Sequence, residues 1–266
     1  MKLSRLVLVL ILAFLLAPIA FPLPAPKDKD KGKEKTPPAQ SVDSGSFGVF
    51  MNGRRVGTET FTVTQNNSGS VIQSDFKTEG AAEASAQHSE MLLTLNGEIR
   101  RYEWKEVGPG KAQSVVVPNE EFLTQRWSAS PEDKPQEQPY LLPTSTSILD
   151  DYFFVHREIL AWKFLFSVCR QGQTAETKGV APANPTIECP LKQRAQFGTL
   201  NPHQHASAPV SMEYLGREKV TLHGSEQELN KVALKSEVGD WLLWLDNQFK
   251  LVRISIPAEK TEIVRD

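Results

Sequence analysis

Large apolar residues alternate with small or polar ones over most of this chain, and short turn-forming clusters interrupt them at close intervals. Phe47, Val49 and Met51 alternate with their neighbours, and Asn52-Gly53 supplies the positive backbone angles of a tight hairpin turn before a Thr- and Val-rich run over 56–64. Asn66-Asn67-Ser68-Gly69 turns the chain into a return strand over 71–78, and 91–95 leads through Asn96-Gly97 to 98–107. Gly108-Pro109-Gly110 then reverses it into 112–117. Strands joined by turns this short pair with their sequence neighbours, so the first half reads as an antiparallel meander.

The C-terminal part repeats the pattern. Segments 212–222, 228–238, 241–245 and 249–256 are strand-like, Asp246-Asn247-Gln248 is a turn, and 259–264 is expected as a final edge. Val252, Ile254 and Ile256 share one face opposite Arg253 and Ser255, as in a sheet with one wet side. The run Trp241, Leu242, Leu243, Trp244, Leu245 is apolar on both faces and must be covered twice or lie over a cavity.

Between these halves the period changes, and a helix is expected over about 148–170. Ser147 with Asp150 suits a capping box, and Asp150 and Asp151 suit the positive end of the helix dipole. Leu149, Phe153, Leu160 and Phe164 form one apolar row, and Tyr152, Val155, Ile159, Trp162 and Phe166 form the next. This leaves a narrow polar edge at Asp151, Arg157 and Glu158, so the helix is expected to be buried around most of its circumference.

The N-terminal region has another character. Lys2 and Arg5 precede an apolar run over 6–21, the build of an export signal over 1–26 or of an N-terminal anchor. Residues 27–45, with KDKDKGKEK followed by TPPAQSVDSG, carry alternating charge and two adjacent prolines and read as a solvated tether. About 220 residues remain, enough for one β-rich domain over 46–266. The formal net charge of −2 and a mildly acidic body argue against nucleic acid as a partner.

Chemistry is sparse. Cys169 at the expected helix end and Cys189 in a Pro-rich loop are expected to form a disulfide, as an extracytoplasmic compartment permits. His203 and His205, one residue apart in a loop between Pro202 and Pro209, are weak metal candidates that need a distant third ligand, and His156 reads as a polar residue beside the apolar stripe. No nucleophile motif is present, and the Asp150-Asp151 and Glu120-Glu121 pairs are explained by capping and solvation. No catalytic residue, cofactor or metal is assigned.

The segment "RRVGTETFTV" after an Asn-Gly turn, the lone aromatic helix and the terminal "WLLWLDNQFKLVRISIP", behind an export signal, resemble uncharacterised secreted bacterial families similar in architecture to the periplasmic lipoprotein carriers. That resemblance implies a mainly β (α+β) fold: a strongly curved antiparallel sheet or unclosed barrel, with a helix over its concave apolar face. Lipoprotein carriers open with an amphipathic helix, whereas here the tether runs straight into a strand.

The expectation is a non-enzymatic extracytoplasmic protein, in the periplasm, secreted, or attached to the inner membrane by its N-terminus. It would bind or carry a lipid or other apolar or amphipathic molecule, with Phe153, Trp162, Phe166, Trp241 and Trp244 lining the site. The alternatives are an envelope-assembly protein with a fully packed core and, third, a hydrolase with polar groups converging near His156, His203 and His205.

Overall fold

In the computed structural model, residues 39–80, 84–171, 187–237 and 239–266 are described; the expected export signal and most of the tether lie outside them. The first half is a meander of β1 (Gln40–Met51), β2 (Arg54–Asn66), β3 (Gly69–Thr78), β4 (Ala86–Leu93), β5 (Ile99–Gly108), β6 (Gln113–Asn119), β7 (Phe122–Ser128) and β8 (Gln136–Tyr140). Asn52 and Gly53 adopt the positive φ of 50° and 76° that the first hairpin requires. A short strand, β9 (Ser147–Ile148), precedes the one α-helix among the described residues, α1 (Val155–Val168).

Beyond the helix, β10 (Arg170–Gln171) pairs with β11 (Ile187–Glu188) in a separate small ladder. A second meander follows: β12 (Arg194–Asn201), β13 (Ala206–Leu222), β14 (Ser225–Ser236), β15 (Gly239–Leu245), β16 (Leu251–Ile256) and β17 (Thr261–Arg265). The two meanders join through antiparallel β1 and β17, giving one curved sheet of 15 strands that does not close into a barrel. The segment expected as a final edge is therefore the central seam. The far edges are β8 and β9, and β9 adds to β12 in parallel.

The core lies between the concave face and α1, with Phe47, Ile72, Tyr102, Phe153, Phe164, Leu243 and Ile254 fully buried or nearly so. The 241–245 segment is covered twice, as its pattern requires. Leu243 and Leu245 enter the main core, while Trp244 on the opposite face packs with Val220, Leu222 and Leu229 of the long β13–β14 hairpin.

Three expectations need correction. The tether ends earlier than residue 45, because β1 begins at Gln40 and Asp43 is buried with salt bridges to Arg265 at 2.6 Å and Lys250 at 2.8 Å. The helix begins at Val155, not near 148, since Ser147 and Ile148 are drawn into the sheet by β12. Its N-terminus is capped from another element: Glu59 on β2 accepts the backbone N–H of Phe154 at 2.7 Å and of Val155 at 3.2 Å, so no Ser147–Asp150 capping box forms.

The third correction concerns the helix faces. Arg157 and Glu158, read as a wet edge, are buried, whereas Phe166, read as apolar stripe, is 81% exposed. Glu158 accepts the Leu251 N–H at 2.9 Å and meets Arg265 at 3.3 Å, and Arg157 lies over the Trp241 ring at 4.5 Å. Partners on distant strands make burial of Glu158 tolerable, and Arg157 combines the distant Trp241 ring with the nearby Asp150 and Phe153 carbonyls, to which it donates; helical periodicity alone shows none of these.

The disulfide forms. Cys169 caps the C-terminus of α1 and is bonded to Cys189, with 4.3 Å between the Cα atoms. A bond of this kind points to an oxidising, extracytoplasmic environment. Among the described residues, no helix is long and apolar enough to cross a membrane.

Candidate functional site

Along one side of α1 the residues His156, Ile159, Lys163 and Phe166 fall at helical spacing; His156 packs edge-on against Tyr102 of β5 with ring centroids 5.4 Å apart, and beyond it a gap opens between the helix and the floor of β2 to β5. The gap is a cavity of about 580 Å³ floored by Val63, Ile72, Met91, Leu93 and Ile99, with Thr146, Ser147 and Ile148 at its side. A second cavity, also of about 580 Å³, lies beside the C-terminal half of α1 against Phe249 and Lys250, and its wall includes Leu165 and Cys169. Val42, Trp162 and Phe166 border both. Trp162, half-buried, is fixed by donating its indole N–H to the Phe249 carbonyl at 2.6 Å.

The floor is apolar because inward-facing positions of β2 to β5 alternate with outward polar ones. Polar groups also line the cavity: Gln65, Ser70 and Asn96 from the side of β2 to β5, and Thr146, Ser147, His156 and Lys163 from the side of the helix and the segment before it. Lys163 donates to the Ser145 carbonyl and lies 3.5 Å from Ser147 Oγ. Burial lowers the Lys163 pKa from its ordinary value, an effect that Glu98 partly offsets at a distance. His156 is fully buried, and desolvation lowers its pKa to about 3, which keeps the ring neutral. His156 Nδ1 and Thr146 Oγ1 are buried with no hydrogen-bond partner among the described residues.

The structure brings together two of the five expected lining residues, Trp162 and Phe166. Phe153 is fully buried in the core just before the helix, Trp241 lies under Arg157, and Trp244 is on the opposite face of the sheet, where its indole N–H bonds Glu218 at 2.6 Å. Val42, Thr146 and Lys163 were not anticipated. The recurrence of His156 and Lys163 seven positions apart on one helical face is the signal that would have found the latter.

A second polar group occupies the wall formed by β4 to β7. His203 places one ring nitrogen 2.7 Å from Asp150 Oδ2 and the other 2.8 Å from Gln87 Oε1, and its ring stacks on Trp104 with centroids 3.8 Å apart. Tyr102 donates to the same carboxylate oxygen at 2.7 Å. Burial alone would raise the Asp150 pKa, but the hydrogen bond and charge of His203 outweigh it and hold the carboxyl below its usual range. His205 packs against Trp127 at 4.1 Å.

The two histidines thus point to different partners, and no cluster of three or more metal-ligating side chains exists among the described residues. A histidine paired with a buried carboxylate can act as a base if its free nitrogen reaches a nucleophile. Here that nitrogen meets a carboxamide, so the pair holds the β12–β13 turn onto the opposite wall of the sheet. Comparison of the chain with protein-family models, with curated proteins and with solved structures returns no match.

Proposed function

We propose that this is a non-enzymatic extracytoplasmic protein that binds or carries an apolar or amphipathic molecule in the concave face of its sheet. One observation carries the reading: two cavities of about 580 Å³ each share Val42, Trp162 and Phe166 in their linings and leave apolar side chains facing open space. Each lies within the range of about 300–1,000 Å³ usual for small-molecule sites. A Phe that is 81% exposed at the mouth, with Val42 and Leu95 also exposed nearby, supports occupancy by apolar matter over solvent alone. The export signal expected over residues 1–26 and the disulfide support a place in the periplasm or outside the cell, with the N-terminus as a possible attachment to the inner membrane.

The test is to expose purified protein to a panel of lipids and alkanes, recording native mass and thermal shift. Adducts that vanish in Phe166→Asp support the reading. A panel with neither adducts nor shifts overturns it in favour of an envelope-assembly role.

A further inference from the structure

We infer that the occupant of the first cavity is an acyl chain ending in an oxyanion, with the Lys163 ammonium as the receptor for its head. The inference rests on the apolar-binding reading and adds the charge and polarity of the ligand. Of the side chains lining that cavity, Lys163 is the one that carries a full positive charge, and among the described residues it makes no ion pair. Elsewhere Arg265 and Lys250 are matched by Asp43, Arg253 by Glu262 and Lys231 by Glu218, while buried Arg157 donates to the Asp150 and Phe153 carbonyls and lies over the Trp241 ring, outside the lining of this cavity. A half-buried ammonium held by neutral oxygens alone, at the wall of an open cavity, leaves open a charge-assisted contact that an anionic ligand would supply.

A second observation points the same way. Thr146 Oγ1 and His156 Nδ1, both buried and unpartnered, line the same cavity, and Thr146 belongs to the segment whose Ser145 and Ser147 contact Lys163. The Thr146 hydroxyl, between the two residues that contact Lys163, can donate to an oxygen-rich head, while the neutral imidazole lies about two helical turns away and adds a second donor deeper in the same lining; a pure hydrocarbon would leave both unsatisfied. Below them the floor of Val63, Ile72, Met91, Leu93 and Ile99 offers no polar side chain, as an alkyl chain requires. Gln65, Ser70 and Asn96 also line the cavity, the first and last of them exposed to solvent, so the alkyl chain is placed on the apolar floor between them and the Lys163 wall.

The experiment measures binding of hexadecanoic acid, hexadecanol and hexadecyltrimethylammonium to the folded protein at pH 7.5, by displacement of an environment-sensitive acyl probe. The acid should bind at least about tenfold more tightly than the alcohol, as a charge-assisted contact predicts, and the cation most weakly. Lys163→Gln should bring acid and alcohol to similar affinities, Lys163→Arg should keep the preference, and the outward-facing control Lys105→Gln should keep it too. Thr146→Val gives a second route, with a smaller loss confined to the acid. Equal binding of acid and alcohol by the natural protein, or a preference that survives Lys163→Gln, overturns the inference and leaves the apolar-binding reading standing. Failure of all three to bind overturns both.

Discussion

The two flanks of helix α1 are built on opposite rules. On the flank facing β1, β16 and β17, every charged group has found a partner: Asp43, Arg265 and Glu158 interlock, and Arg265 also lies over Phe47 and Phe61 at 5.3 and 5.1 Å. On the flank facing β2 to β5, among the described residues, Lys163 has no carboxylate, His156 Nδ1 and Thr146 Oγ1 have no hydrogen-bond partner, and apolar side chains line open space. The closed flank minimises the cost of buried charge, as a structural interior must, while the open flank leaves that cost standing. The contrast separates a scaffold from a surface held ready for something else.

The helix start, where the flanks diverge, should show the largest effect, in the pH dependence of stability. His156 has its pKa lowered by burial to about 3, so its contribution is complete above 6.5 and is lost as pH falls toward 3, on the order of 4 to 5 kcal/mol. Glu59 has the opposite sign: burial raises its pKa to about 7, so its contribution is complete below 4.5 and is lost as pH rises through 7, about 3 kcal/mol. The two slopes oppose each other where they overlap, so these groups should give stability that climbs from acid, flattens, then declines toward neutral pH. Glu59→Gln should replace the plateau with a continued rise, read from denaturant midpoints across pH. An unchanged profile would contradict the burial of this carboxyl.

On the closed flank, Asp43→Ala should cost about 3 to 5 kcal/mol, because it leaves Arg265 and Lys250 beside Glu158 without their shared acid. Burial pulls the Asp43 pKa up, but hydrogen bonds from Arg265 and Lys250 outweigh it and hold the group ionised. Cys169→Ser with Cys189→Ser should lower stability by about 2 to 4 kcal/mol, and the natural protein should release two thiols on reduction and none before it. On the open flank, Phe166→Ala should change stability by less than about 1 kcal/mol, given its exposure, while weakening apolar ligands. A loss as large as that of Asp43→Ala would erase the distinction between the flanks.

What was legible in the sequence follows from what is local. Hairpin turns such as Asn52-Gly53 carry their own backbone demand, and the strands over 47–117 and 212–256 follow from alternation. The need to cover 241–245 on both faces was also readable, because two tryptophans and three leucines in succession leave no wet side. The helix N-terminus was not, since its cap is Glu59, far away in sequence, while Ser147 and Asp150 offered a nearer and plausible substitute. Arg157 and Glu158 misled for the same reason. Their distant partners lie on β15, β16 and β17, and no helical wheel contains them. For the site, aromatic content located Trp162 and Phe166 but also Phe153, Trp241 and Trp244, which serve packing; a cavity is a failure of packing, and composition does not record it.

The most direct test of the open flank uses its own tryptophan. Titration with an acyl chain brominated near its middle should quench a saturable part of the fluorescence, and Trp162→Phe should remove that part while the chain still binds, because Trp162 borders both cavities. Absence of saturable quenching, or the same quenching without Trp162, would contradict a ligand in the concave face.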